Sequence, residues 1–143
     1  MGRVIAIDFG LKRTGLAATD QLRIIASALE TVESKELMRY LVAYCAREQV
    51  DGFVLGLPVN LDGSDTDVTP NVRLLAEALR KQFPSHFVEL ADERFTSKLA
   101  QSTLLASGKG RMARREKGQL DRISATIILQ SWLERQERAS GSG

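Results

Sequence analysis

The stretch Arg3-Val4-Ile5-Ala6-Ile7-Asp8-Phe9-Gly10 constrains this chain more than any other. Val4 to Ile7 is an unbroken, partly β-branched apolar run, the pattern of a strand buried in the middle of a sheet. It ends in an acid and a glycine, and a second strand candidate, Thr14 to Thr19, begins a few residues later. Such a strand delivers its last side chain, Asp8, to the edge of the core. A lone buried carboxylate is costly, so Asp8 requires a partner: a turn, a base, or a metal ion. Gly10 and Gly15 supply the backbone freedom for the tight turn between the two strands.

The third strand is expected over Ile24 to Val32, completing an antiparallel meander. Ser34 to Gln49 turns helical, with Leu37, Leu41, Tyr44 and Cys45 on one stripe. On that stripe Cys45 reads as a small buried hydrophobe rather than a nucleophile. Val50 to Leu57 is the next buried strand, closed by Gly56-Leu57-Pro58 because proline cannot continue an interior strand. After the acidic loop Asn60 to Asp67, Thr69-Pro70 reads as a capping hydroxyl with proline at the first helical position. Val68, Val72, Leu75 and Leu79 are the buried stripe of that helix, which stops before Pro84. His86 to Ala91 alternates as a strand and runs into Asp92-Glu93-Arg94; His86, the sole histidine, reads as structural. A helix over Thr96 to Ser107, a loop opened by Gly108-Lys109-Gly110-Arg111 and a last helix over Gln119 to Glu137 follow. Ile123, Ile127, Ile128 and Trp132 are its expected core face.

The order β-β-β-α-β-α-β-α-α is that of an α/β mixed sheet, an antiparallel meander beside parallel strands, flanked by helices. At 143 residues the chain suits one domain, expected over residues 1–138. Residues 139–143 are expected to be a disordered tail or one added for expression. No apolar stretch reaches membrane-spanning length, so no membrane partner is expected. With Cys45 alone, neither an intramolecular disulfide nor a cysteine zinc site is possible, which agrees with a cytoplasmic location.

Three acidic positions stand out by context: Asp8, the pair Asp92-Glu93, and Asp121 near the start of the last helix. Strand ends that lie side by side bring such acids together, and divalent cations relieve the repulsion of clustered carboxylates. All-oxygen donors suit Mg²⁺ or Mn²⁺. Asp8 alone reads equally as a turn or ion-pair residue, and Asp121 as an acid favoured by the helix dipole. The net charge of +2 permits nucleic-acid binding without requiring it, so clustering decides. From residue 94 to 122 the cations Arg94, Lys98, Lys109, Arg111, Arg114, Arg115, Lys117 and Arg122 are opposed only by Glu116 and Asp121. Lys12 and Arg13 add to the same surface. A basic rim around clustered acids fits a metal-dependent nuclease, with arginines and lysines on the phosphates; the plain alternative is a solvated basic face. Asp8-Phe9-Gly10 spells a protein-kinase signature, but no catalytic loop precedes it. Neither a Gly-x-x-x-x-Gly-Lys-Ser/Thr nor a Gly-x-Gly-x-x-Gly loop occurs. The acid and glycines between two strands also resemble the first phosphate loop of actin-like ATPases, which need a second domain that this length does not provide.

Four segments in order carry a closer likeness. They are Ala6-Ile7-Asp8-Phe9-Gly10 with Thr14-Gly15-Leu16-Ala17, Val54-Leu55-Gly56-Leu57-Pro58 with Asn60-Leu61-Asp62-Gly63, Asp92-Glu93-Arg94-Phe95-Thr96-Ser97, and Lys117-Gly118-Gln119-Leu120-Asp121 with Ser124-Ala125. Over residues 3–136 the chain resembles the YqgF family, also called RuvX, whose members are described as Holliday junction resolvases or pre-16S rRNA nucleases. The resemblance implies an RNase H-like fold related to RuvC, and Mg²⁺ or Mn²⁺ held by Asp8, Glu93 and Asp121. Asp92 is the weaker candidate, since adjacent strand residues point opposite ways. RuvC-type resolvases carry a further acid one turn after the last one, where this chain has Ser124. The resemblance therefore implies 5′-end processing of pre-16S rRNA ahead of cutting branched DNA. A non-catalytic RNA-binding or ribosome-associated factor on a nuclease-like scaffold is the alternative of a different class. A monomer or a homodimer is compatible with it.

Overall fold

Strand β1 (Arg3–Asp8) sits at the centre of a five-stranded sheet, ordered β3-β2-β1-β4-β5, and is buried along almost its whole length. The structure, a computed structural model, describes residues 2–93 and 117–141, excepting the side chains of residues 117–121, 140 and 141. Strands β2 (Arg13–Thr19) and β3 (Ala26–Glu33) pair antiparallel on one side of β1. Strands β4 (Val50–Leu57) and β5 (Phe87–Asp92) pair parallel on the other. The mixed α/β sheet expected from the sequence is therefore present. Helices α1 (Leu37–Arg47), α2 (Thr69–Gln82) and α3 (Lys117–Gly141) flank it. The helix expected over residues 96–107 and the loop after it lie outside the described residues.

Alternation along the strands splits the core into two layers. Ile5, Ile7, Leu16, Phe53 and Leu55 pack with Leu37, Leu41, Tyr44, Val72 and Leu79 of α1 and α2. Val4, Ala6, Ala17 and Val54 pack under α3, which contributes Ala125, Ile128, Leu129, Trp132 and Leu133. Ile123 and Ile127, also expected in the core, are half-buried. The alanines on this face let α3 lie close to the sheet. Its grip at the β5 side is aromatic: Trp132 stacks on Phe87 with centroids 5.9 Å apart, and its Nε1 donates to Glu89 Oε2 at 2.6 Å. His86 stacks on Phe53 at 5.6 Å and meets Phe83 edge-on at 5.2 Å, so it packs as a ring. Cys45 packs half-buried against the α1–α2 core, and burial pushes its thiol up.

Four local expectations need correction. Ile24 and Ile25 stand outside β3 and are exposed. Their amides bond Asp20 Oδ1 at 2.7 and 3.0 Å, and Arg23 adopts a φ of 57°, so β-branching there serves a turn. Ser34 opens a 3-10 turn instead of a helix, because its amide donates to Lys12 O at 2.9 Å and its hydroxyl to Gly10 O. Thr69 is not a cap: it lies inside α2 and is fully buried. Its hydroxyl donates to Pro58 O and accepts from the Thr66 amide at 2.8 Å, fastening the loop after β4. The last helix begins before Gln119 and continues beyond Glu137 to Gly141.

Trp132 tests the α3 grip. Trp132→Phe should cost about 1 kcal/mol, the worth of one hydrogen bond, and Trp132→Ala about 3–5 kcal/mol, read from urea unfolding midpoints. Equal losses for both variants would show that the Glu89 bond, rather than ring packing, carries the contact.

Candidate active site

Because β1, β4 and β5 run parallel, their C-terminal ends share one sheet edge. Asp8 ends β1, and Glu93 directly follows the last residue of β5. Strand β4 lies between them, so the two backbones are two strand spacings apart, about 9.5 Å. On the face under α3, the residue of β4 at this level is Gly56. A Cβ built there would come 2.8 Å from Glu93 Oε1 and 2.5 Å from Ile128 Cδ1. The Glu93 carboxyl thus occupies the space that a side chain at position 56 would fill, and it hydrogen-bonds the Asp8 side chain across β4.

The electrostatics follow from that placement. Burial raises the Glu93 pKa, the bond to Asp8 pulls it back down, and the Asp92 charge adds to the rise. Two carboxyl groups that share a hydrogen bond need a proton between them or a cation beside them. Of the two acids at the end of β5, Glu93 is the one that meets Asp8. Asp92 pairs in register with Leu57, and alternation assigns it to the opposite face, with Val88 and Leu90. The side chain of Asp121 lies outside the described residues. The α3 backbone puts position 121 two turns before Ile128, about 10 Å along the axis, toward the edge that holds Asp8 and Glu93. Among the described residues no group of three metal-binding side chains occurs.

The basic residues divide. Lys12 and Arg13 line a groove at the turn between β1 and β2, together with Leu11, Glu33 and Lys35. Lys35 was not anticipated there; the 3-10 turn that ties Ser34 to Lys12 brings it in. Gly10 is required in this turn, since a Cβ would come 2.5 Å from the Arg13 carbonyl oxygen. Gly15 stands opposite Asp8 in the antiparallel register. Arg122 faces Glu30 of β3 at 3.8 Å, so it is partnered within the fold. Arg94, Lys98, Lys109, Arg111, Arg114 and Arg115 lie outside the described residues, as does the side chain of Lys117.

An antiparallel triple joined to parallel strands, with acids gathering at the end of the central strand, defines an RNase H-like domain. Comparisons with known proteins agree. Thermus thermophilus RuvC, solved in complex with a Holliday junction substrate, superposes with a TM-score of 0.59 at 12% identity, covering 94% of this chain and 96% of that one. The RuvX family, described as "Holliday junction resolvase", matches residues 2–135. Relatives named "Putative pre-16S rRNA nuclease" are 47% identical in Porphyromonas gingivalis and 43% in Bacteroides thetaiotaomicron. They cover 96% and 94% of this chain, and 100% and 97% of those proteins. The chain belongs to the RuvX (YqgF) family.

The Glu93 shift has a measurable sign. Its pKa is raised above the ordinary value of 4.5, so the fold favours the protonated acid. That stabilisation is complete below the unfolded value and is lost as pH rises through the folded one. In EDTA, Glu93→Gln should match wild type near pH 4.5. At pH 8 it should exceed wild type in stability, read as a higher Tm, by a margin that grows as pH rises through the folded pKa of Glu93. Parallel pH profiles for the two proteins would show that Glu93 carries no buried-charge penalty.

Proposed function

We propose that this protein is a divalent-metal-dependent nuclease that hydrolyses phosphodiester bonds of RNA in the 5′-end processing of pre-16S rRNA in the cytoplasm. The observation that carries this reading is the Asp8–Glu93 carboxyl pair gathered at the sheet edge over Gly56. The pair fits a hard cation: it is all oxygen, partly desolvated, and held together at a cost that a positive charge would offset. Asp8 and Glu93 would hold Mg²⁺ or Mn²⁺, with Asp121 as the third acid and Asp92 supplying charge from the adjacent position. When bound, the ion supplies activation of the attacking water and stabilisation of the leaving oxygen.

The remaining work falls to the chain's own residues. The Asp8 carboxyl, fixed by the central strand, sets where the scissile phosphate can approach. Lys12 and Arg13, beside it on the β1–β2 turn, hold the backbone of the nucleic acid. Arg94, adjoining Glu93 in sequence, is assigned to the scissile phosphate, and the basic stretch Arg111 to Lys117 to the flanking backbone. A branched-DNA resolvase is the second reading, favoured by the family description and by the RuvC-like sheet. Ser124, half-buried in place of a fourth acid, argues for the leaner RNA reaction.

The deciding experiment is a cleavage screen of wild type and Asp8→Asn with pre-rRNA fragments, single-stranded RNA and DNA, and a four-way junction in Mg²⁺ or Mn²⁺. Asp8→Asn should lower cleavage at least 100-fold while binding and Tm stay near wild type, and Asp121→Asn should do the same. Full activity in either variant would sink the mechanism; RNA binding in EDTA with no cleavage by wild type would favour a non-catalytic binder. For the backbone contacts, Lys12→Ala with Arg13→Ala should lower the slope of log K against log salt on single-stranded RNA by about 1.4, two phosphates' worth. An unchanged slope would remove these residues from the interface.

A further inference from the structure

Glycine is a poor strand residue, with no side chain to pack, and inside a strand it marks a close approach by something else. Strand β4 carries two, Gly52 and Gly56, with Val54 between them on the face under α3. What crosses each differs. A Cβ at Gly52 would meet the Phe87 ring at 2.3 Å, whereas one at Gly56 would meet the Glu93 carboxyl at 2.8 Å and the tip of Ile128 at 2.5 Å. Residues of β5 therefore lean inward over β4 at both ends: an aromatic ring that packs on Trp132 at one, an acid that reaches Asp8 at the other.

We infer that Gly56 is a positioning residue of the site, and that its missing side chain sets the reach by which the Glu93 and Asp8 carboxyls hold one divalent cation. This rests on the nuclease reading and names the residue that makes its carboxyl pair possible. Asp8 ends β1 and Glu93 directly follows β5, on either side of β4, so their side chains meet only by crossing above it. A methyl group at 56 stands in that crossing. Ile128 is buried and confined by the α3 core, so the Glu93 carboxyl is the group that gives way, back toward its own strand and away from Asp8. The obstruction involves the far ends of two side chains and no backbone, so the fold survives it. At Gly52 the same methyl would strike a ring held in a stack.

The test uses the full-length chain and Mn²⁺ as the probe. Gly56→Ala should weaken Mn²⁺ binding at least tenfold by isothermal titration, with Tm in EDTA shifted by only a few degrees. Its metal-free crystal structure should show Asp8 and Glu93 parted. Gly56→Ala combined with Ile128→Val removes the isoleucine tip and leaves the carboxyl obstruction, so binding should stay weak. Gly52→Ala should lose thermal stability yet bind Mn²⁺ within about twofold of wild type. Wild-type affinity in Gly56→Ala, an intact Asp8–Glu93 bond in its structure, or recovery of binding on adding Ile128→Val each overturns the positioning role while leaving the nuclease reading standing. A wild-type protein that neither binds Mn²⁺ nor cleaves RNA overturns both.

Discussion

Everything at the site depends on a carboxyl–carboxyl contact made across an intervening strand. Asp8 and Glu93 hydrogen-bond although β4 separates their backbones. That geometry demands that β1, β4 and β5 be parallel, so that their ends coincide at one edge, and that β4 be bare at this level. Parallel strands in turn require crossover helices between them, and α1 and α2 serve as those crossovers. The antiparallel partners β2 and β3 fill the other flank of β1, making it central and buried. A central position is what keeps Asp8 from relaxing away into solvent.

Holding two acids together costs stability, and the rest of the fold offsets it with packing. The face beneath the site is lined by Val4, Ala6, Ala17 and Val54, small enough for α3 to lie close. The Phe87–Trp132 stack and the bond to Glu89 clamp α3 to β5 at the end away from the acids. The clamp keeps Ile128 over Gly56 and fixes the direction of α3, whose N-terminal end therefore points toward the Asp8–Glu93 edge. Packing at one end of the helix is what aims the other.

How much of this is legible in the sequence depends on how local the cause is. Asp8 can be read because an apolar run and a glycine bracket it, β1 and β4 because each is a continuous apolar run buried on both faces, and β5 because its side chains alternate. Alternation says only that Asp92 and Glu93 point opposite ways; the likeness to the YqgF family singles out Glu93, and the structure brings its carboxyl to Asp8. The failures come from hydrogen bonds and close approaches that hydrophobic patterning does not register. Ile24 and Ile25 carry strand-like side chains, but Asp20 captures their amides and closes a turn. Thr69 carries the letters of a cap, but the Pro58 carbonyl, eleven residues away, claims its hydroxyl. Gly56 looks like half of a strand-ending Gly-Leu-Pro, and only the structure shows whose carboxyl lies over it. The one available signal was a glycine in an otherwise apolar strand, which marks a close approach without naming the visitor.

Charge is unevenly distributed along this chain. The net charge of +2 hides a strong segregation along the sequence: between residues 94 and 122, just after the Asp92-Glu93 pair, eight cations stand against two acids. In the nuclease reading a polyanion would be drawn by those cations and repelled by the acids as long as the acids are ionised and uncompensated. In the proposed reading binding and chemistry would be separable: the cations would hold nucleic acid without a filled site, and the acids would admit a phosphate only once their negative charge is neutralised. With three candidate carboxylates and Ser124 in place of a fourth, less positive charge suffices for that neutralisation than a four-acid centre demands. The same economy limits how many cations the site can hold firmly, which ties metal occupancy to the presence of the substrate's own phosphate oxygens.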